Sequence, residues 1–336
     1  EKERALELYR EVLVLNPEHD GARARLESFL DRADLGASAA TILEPIYEMG
    51  GHWEPLVRAL EVLAKGSEDP ERQLEILTKV GEVCGIQIGD SARAFDAFGR
   101  ALRVMPESVE TLQRLELLAE EQERQDDLVA LVEELAAETA DPDLARTLWL
   151  KAAAIHDGQR RDVDRAVAAY GKILELDPAD AEVLDALDAL YRRTERWRDL
   201  LGVVRRKAEL TDDVALREEL LAQNAMIFEE MLEEPESAIG VYSDILELDP
   251  SSQRALVALD RLYERLERWT DLADNIGRQL AIAESPEAET ALMLRLGALR
   301  ESRMGAVDAA IEIYREVIER DPQNERALSA LERLIQ

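Results

Sequence analysis

His19, His52, His156 and the single Cys84 are the side chains of this 336-residue chain best fitted to nucleophilic attack, proton transfer or metal binding. Their spacing argues against all three. Cys84, His156, Phe228 and Arg300 follow one another at intervals of 72 residues, so the cysteine and one histidine share a position that elsewhere holds a phenyl ring or a guanidinium. Such exchange suits packing better than chemistry. His52 falls in register with Arg124, Arg196 and Arg268, beside a turn where a solvated side chain is expected. His19 shares its position with Ser108, Asp180, Ser252 and Asn324, all good helix N-caps, and so reads as a helix start. No two histidines share a helix face, which makes a histidine-based zinc site implausible. Paired carboxylates such as Glu120–Glu121, Glu229–Glu230 and Glu233–Glu234 belong to a chain with 73 acidic residues and read as solvated helix surface. No glycine-rich phosphate loop, G-x-S-x-G elbow or H-E-x-x-H motif occurs. The expectation is a protein without catalysis, metal or cofactor.

The elements that carry these residues repeat. AFDAFGRALRVMP (94–106), AVAAYGKILELDP (166–178), AIGVYSDILELDP (238–250) and AIEIYREVIERDP (310–322) end on prolines 72 residues apart. A fifth copy, ALELYREVLVLNP, ends at Pro17, but 89 residues separate it from the next. A fixed period implies units that bury their apolar faces only against neighbours. Within 179–250, Val183, Leu184, Leu187, Leu190 and Tyr191 make one helical stripe, and Trp197, Leu200, Leu201 and Val204 open a second helix running to about Leu210. A third helix spans roughly 213–232, with Thr211 or Asp212 as its N-cap, and the fourth closes at Asp249–Pro250, because the residue before a proline leaves the α region. Each period is thus two helical hairpins, of about 34 and about 38 residues. The fold class is an all-α solenoid of about 19 helices.

Composition agrees. Aromatics make up only 4% of residues, and the abundant Ala, Leu and Glu favour helix. The formal charge of −32 argues against a nucleic-acid partner, which needs clustered Lys and Arg. It keeps a long solenoid soluble, or else recruits a basic partner. One cysteine excludes an internal disulfide, and no run of 18 apolar residues could span a membrane. No secretory leader is visible; the cytoplasm is the expected compartment, with the periplasm as the alternative. The chain starts on the second helix of one repeat and stops on the first helix of another, which suggests a piece of a longer protein.

These hairpins resemble the tetratricopeptide repeat family, in the form of a bacterial multi-repeat protein with paired 72-residue units. The resemblance rests on A-I-x-x-Y-x-x-I-L-x-L-D-P at 238–250, L-x-x-L-Y at 187–191 and a Trp six residues after that Tyr. Ala166, Tyr170 and Pro178 fit the family's second-helix pattern, as do Ala238, Tyr242 and Pro250, and Ala310, Tyr314 and Pro322. Gly81, Ala153, Ala225 and Gly297 fill its small first-helix position. Alternate hairpins are about four residues longer than usual, and Leu200 and Asp271–Leu272 stand where a small residue is common. The resemblance implies a right-handed superhelix that binds peptides or protein segments on its concave face, with no chemistry. In the family the slot of Cys84 is usually an aromatic packing position.

The period breaks once. The 89-residue offset exceeds 72 by one helix and a turn, placed between Pro17 and Trp53. Residues 21–35 and 37–51 read as two amphipathic helices, the second kinked or delayed by Pro45. This divides the chain into an irregular segment, 1–51, and a regular array, 52–336. Either the superhelix changes direction at the extra helix, or that helix packs outside an uninterrupted spiral.

Carried over from the family, the groove-lining positions are acidic toward the N-terminus, with Glu75, Glu82, Glu110, Glu120 and Glu121, and bear arginine toward the C-terminus. The candidate partner-binding residues are Arg192, Arg193, Arg254, Arg261, Arg265, Arg326 and Arg333. Guanidinium forks suit an acidic peptide or a chain terminus; pairing with nearby Glu and Asp is the structural alternative. The expected function is a non-catalytic scaffold holding a protein or peptide within a larger assembly. A spacer that touches its neighbours by ends and edges, and the regulatory arm of a longer enzyme, are the alternatives.

Overall fold

The computed structural model describes residues 2–335, which form nineteen α-helices and no strand. Contacts divide the chain into two compact units, residues 1–180 and 181–336. The first unit holds α1 (Lys2–Leu15), α2 (Asp20–Glu27), α3 (Gly36–Gly50), α4 (Trp53–Gly66), α5 (Pro70–Glu82), α6 (Ser91–Val104), α7 (Val109–Glu121), α8 (Gln125–Glu138), α9 (Pro142–Ile155) and α10 (Val163–Leu176). The second holds α11 (Ala181–Arg193), α12 (Trp197–Leu210), α13 (Val214–Met226), α14 (Pro235–Leu248), α15 (Gln253–Arg265), α16 (Trp269–Ala281), α17 (Pro286–Ser302), α18 (Val307–Arg320) and α19 (Glu325–Ile335). In each unit a helix packs chiefly on the next in sequence, the arrangement of an α-solenoid.

The 72-residue period reappears in the backbone. All eight residues with φ in the left-handed region among the described residues fall in two positions of the repeat. Gly51, Glu123, Glu195 and Glu267 form one series and Gly89, Arg161, Glu233 and Gly305 the other. After the first series, the amide of the next residue (His52, Arg124, Arg196 and Arg268) donates to a carbonyl five residues back, at 2.8–2.9 Å. This is the wide closing bond of a left-handed helix cap. After the second series the bond is wider still. The amides of Asp90, Asp162, Glu234 and Ala306 reach the carbonyls of Cys84, His156, Phe228 and Arg300, six residues back, at 2.8–2.9 Å. Three of these helices end in a π-helical turn, at 83–88, 156–160 and 227–231. The position shared by the cysteine and the histidine therefore ends a helix in every copy.

The core alternates large and small. Ala94, Ala166, Ala238 and Ala310 are fully buried, and Phe98, Tyr242 and Tyr314 are buried four residues on. The ring meets the preceding helix where that helix has almost no side chain. A Cβ on Gly81 would lie 2.7 Å from the Phe98 ring, and one on Gly297 2.7 Å from the Tyr314 ring. The starts of the first helices are capped as their residue types predict. Ser108, Ser252 and Asn324 accept the amides of Thr111, Ala255 and Ala327, and His19 Nδ1 accepts that of Ala22 at 3.1 Å.

Three expectations need correction. The cap of α13 is Asp213, not Thr211 or Asp212; its Oδ1 accepts the amides of Ala215 and Leu216 at 2.9 and 3.3 Å. The helix expected over 213–232 is α only to Met226 and finishes as the π turn. Pro45 does not delay the start of α3, since the helix begins at Gly36 and runs through the proline. Burial of Ala39, Ala40, Leu43 and Tyr47 outweighs the one backbone bond that proline removes.

Candidate functional site

Of the residues that could have carried chemistry, Cys84 and His156 are enclosed in the core, while His52 is half-exposed and His19 is exposed as a helix cap. Cys84 is buried, and loss of solvation pushes its thiol above the ordinary cysteine range, away from a reactive thiolate. His156 is fully buried, with Nε2 2.8 Å from the Glu133 carboxylate. His52 is half-exposed and lies 3.3 Å from the Arg23 guanidinium. No cluster of three metal-binding side chains is found among the described residues, and none of their helices is long and apolar enough to cross a membrane.

The other candidate surface is the exposed face of the first helices of the hairpins. In an array that packs each helix on the next, side chains of alternate helices can still meet over the intervening one, and here they do so by charge. In the first unit, Lys79 of α5 donates to Glu44 and Glu48 of α3, at 2.9 Å each. Arg114 of α7 reaches back to Glu82 of α5 at 2.5 Å and holds Glu110 of its own helix at 2.9 Å. Lys151 of α9 pairs with Glu116 of α7. Arg146 of α9 grips the buried Asp180 at 2.5 Å. Of the acidic positions carried over from the family, Glu82 is neutralised by a base one helix-pair further along, and Glu44, Glu48 and Glu116 are paired in the same way.

An open cavity of about 590 Å³ sits on this surface of the first unit. Glu48, Glu71, Glu75, Glu82 and Glu110 surround it against the single Lys79, while Trp53, Leu74 and Ile86 supply apolar wall.

All seven arginines singled out from the sequence lie in the second unit, and most of them meet carboxylates. Arg192 of α11 pairs with Asp188 one turn back and reaches Gln223 of α13 at 3.2 Å. Arg193 is exposed beside it at the end of α11. Arg254 of α15 pairs with Glu219 of α13. Arg261 and Arg265 converge on the buried Glu229, at 2.7 and 3.1 Å. Arg333 of α19 reaches Glu301 of α17 at 2.6 Å, and Arg326 is exposed in the first turn of α19. A residue not anticipated, Arg295 of α17, binds the buried Asp260 and lies 2.7 Å from Glu264.

The pairs tune their own acids. The Arg254 bond holds the Glu219 carboxyl below its ordinary range. At Asp188, burial opposes ionisation, but hydrogen bonds from Arg192 and Lys207 together outweigh it and lower the pKa. Surface pairs of this kind contribute about 0–1 kcal/mol each. Those of Arg254, Arg261, Arg265 and Arg333 also tie a first helix to the one before it in the ladder, whereas Arg192–Asp188 stays within α11.

Between the pairs the same stripes expose apolar side chains. Leu117 on α7 is 63% exposed, Met226 on α13 48% and Val257 on α15 61%. Each sits three or four residues from a paired charge, on the same helical face. Sequence pattern alone does not single out Leu117 or Val257, because isolated exposed apolar residues are common; their place beside the ion pairs of their own unit gives them meaning.

Residues 291–324, the α17–α18 hairpin, match the family model described as tetratricopeptide repeat. No curated protein matches the sequence. Among solved structures, the chain is 14% identical to a tetratricopeptide repeat protein of Parabacteroides merdae, over 78% of this chain and 99% of that one, with a TM-score of 0.30. The TPR2AB domain of yeast Sti1, in its pHSP90 complex, is 11% identical over 79% and 97% of the two chains, with a TM-score of 0.29. In the Naa15/Naa10 structure with HypK-THB, the matched chain is 14% identical over 98% of this chain and 57% of that one, at a TM-score of 0.33. With scores this low, none of these superpositions carries weight on function.

Proposed function

We propose that the chain is a multi-repeat protein of the tetratricopeptide class and a non-catalytic scaffold that holds a protein or peptide segment against the first-helix faces of its hairpins. In the family these faces form the concave side. The observation that carries the reading is that each unit exposes apolar side chains beside its own ion pairs, Leu117 in the first and Met226 and Val257 in the second. A solvated face has no use for such residues in register with a charge ladder, whereas a docking face needs apolar anchors inside a polar rim. In the first unit the surplus of carboxylates around the cavity would favour a basic segment. In the second, Arg192, Arg254, Arg261, Arg265 and Arg333 would meet an acidic one by exchanging an internal carboxylate for a ligand's, with Arg193 and Arg326 adding exposed positive charge. The division into an irregular segment, 1–51, and a regular array, 52–336, belongs to the same proposal.

Site-specific photocrosslinking tests it. A benzophenone side chain placed in turn at Leu117, Met226 and Val257, and as controls at Leu176 and Leu248, which are exposed at the ends of second helices, reports which face a partner covers. Capture of one and the same protein from the first three sites alone supports the scaffold. Capture from the two controls alone moves the contact to the outer edges and favours a spacer. Arg192→Gln and Arg193→Gln together should then weaken capture at Met226; this pair avoids Arg261 and Arg265, whose loss would leave the buried Glu229 uncompensated.

A further inference from the structure

On the side of α13 opposite its ion-pair ladder, a second open cavity of about 650 Å³ lies among α12, α13 and α14. Arg217, Leu221 and Asn224 line it at helical spacing i, i+4 and i+7, while Glu219, Gln223 and Met226 project on the other face. Its walls are apolar and half-exposed: Leu201, Leu221, Phe228 and Val241.

Asn224 is out of place there. It is 95% buried, yet its side-chain oxygen has no hydrogen-bond partner. The same position of the repeat holds Val80, Ala152 and Leu296, so packing asks for an apolar residue. A buried amide oxygen without a partner costs about 1–3 kcal/mol. The mouth departs from the repeat in the opposite sense. Gly202 of α12 stands where the other copies carry Arg58, Ala130 and Asp274, and a Cβ there would touch nothing within 4 Å. This copy of the repeat thus lacks a side chain at the entrance and carries a hydrogen-bonding group at the floor.

The charges around the cavity select its occupant. Arg205 is paired with Glu209 at 3.2 Å, and Arg217 spends its guanidinium on the carbonyls of Ala208 and Thr211, at 3.1 and 2.5 Å. With Asp244 on the far wall, the lining carries two bases and two acids, which cancel. In a protein of charge −32, a neutral, apolar-walled cavity with a lone amide on its floor suits a ligand that is itself neutral, apolar and able to hydrogen-bond to an amide. We propose that this outward cavity is a second peptide-binding site, distinct from the first-helix face, which takes one large apolar side chain of an extended segment while Asn224 hydrogen-bonds the main chain of that residue.

The test uses the full chain and capped amino-acid amides as probes, followed by amide NMR shifts. N-acetyl-leucine methylamide and N-acetyl-phenylalanine methylamide should give saturable shifts at α12–α14 in the millimolar range, and the glutamate and glycine counterparts should not. Gly202→Arg, which restores the side chain of Arg58 in open space, should abolish the shifts without loss of helicity. Asn224→Ala, the residue of the preceding copy, should weaken binding about tenfold, the effect of one buried hydrogen bond, while raising thermal stability. Absence of saturable shifts, an equal response from the Gly202→Arg variant, or a crystal structure in which Asn224 is satisfied by an ordered water alone would overturn the proposal.

Discussion

Replacing Gly297 by alanine should destabilise the protein, against the ordinary expectation for a glycine inside a helix. Alanine is favoured over glycine by about 1 kcal/mol in a helix interior. At this site the added Cβ would lie 2.7 Å from Cε1, 3.0 Å from Cζ and 3.2 Å from Cδ1 of Tyr314. That is the flat of a ring rather than a flexible tip. The ring is also tethered, because its hydroxyl donates to Glu301 at 3.1 Å. Overpacking of this sort costs about 1–3 kcal/mol, so the net change is a loss of about 1 kcal/mol. Urea unfolding followed by circular dichroism, with hydrogen exchange at the amides of α17 and α18, measures it. Tyr314→Phe removes the tether and should reduce the penalty, giving a coupling energy of about 0.5–1 kcal/mol in the double-mutant cycle. If Gly297→Ala raises the urea midpoint instead, the small-under-aromatic account of the core is wrong.

Three further outcomes follow from the same geometry. Tyr242→Ala, at a buried ring of the second unit, should cost about 3–5 kcal/mol; a urea-measured loss below about 1 kcal/mol would place the ring on the surface. Glu195→Gly, at φ 55°, should stabilise by about 1 kcal/mol through relief of the left-handed backbone, and a loss of stability would mean that its side chain matters more than its conformation. Burial first, and then the bond to Glu301, push the Tyr314 hydroxyl up to about 12. Its folded pKa is raised above that of the unfolded chain, so its contribution to stability is complete below about pH 10 and is lost toward 12. Tyr314→Phe should flatten the fall in melting temperature over that window, and an unchanged slope would discount the bond.

Much of this was legible in the sequence because a repeat makes one reading check another. The proline series located the ends of α6, α10, α14 and α18, each of which stops two residues before its proline. The exchange of Cys84 for His156, Phe228 and Arg300 identified a structural position, though not the reason, which is a backbone carbonyl that receives a bond from six residues ahead. Such wide turns leave no mark in hydrophobic spacing. Nor did the pattern show that Glu123, Glu195 and Glu267 would take a left-handed conformation, since residue type there points away from it. Most arginines of the C-terminal half were found by position, but the pairing of Arg254, Arg261, Arg265 and Arg333 over 32 to 36 residues, rather than one helical turn, needed the stacking of α13, α15, α17 and α19. Asn224 went unnoticed because an asparagine in a helix draws attention only once its surroundings are apolar.

The two series of left-handed turns also set the grain at which this chain can be edited. From Gly51 through Gly305 they alternate at 38 and 34 residues, and each kind closes with its own bond, one reaching back five residues and the other six. Excising or duplicating a single hairpin would therefore bring two turns of the same kind together and offer one helix a partner cut for the other. A whole 72-residue tile carries one of each, so it can be copied, deleted or exchanged with every helix end meeting the mate it has now. Shorter cuts would have to rebuild a joint.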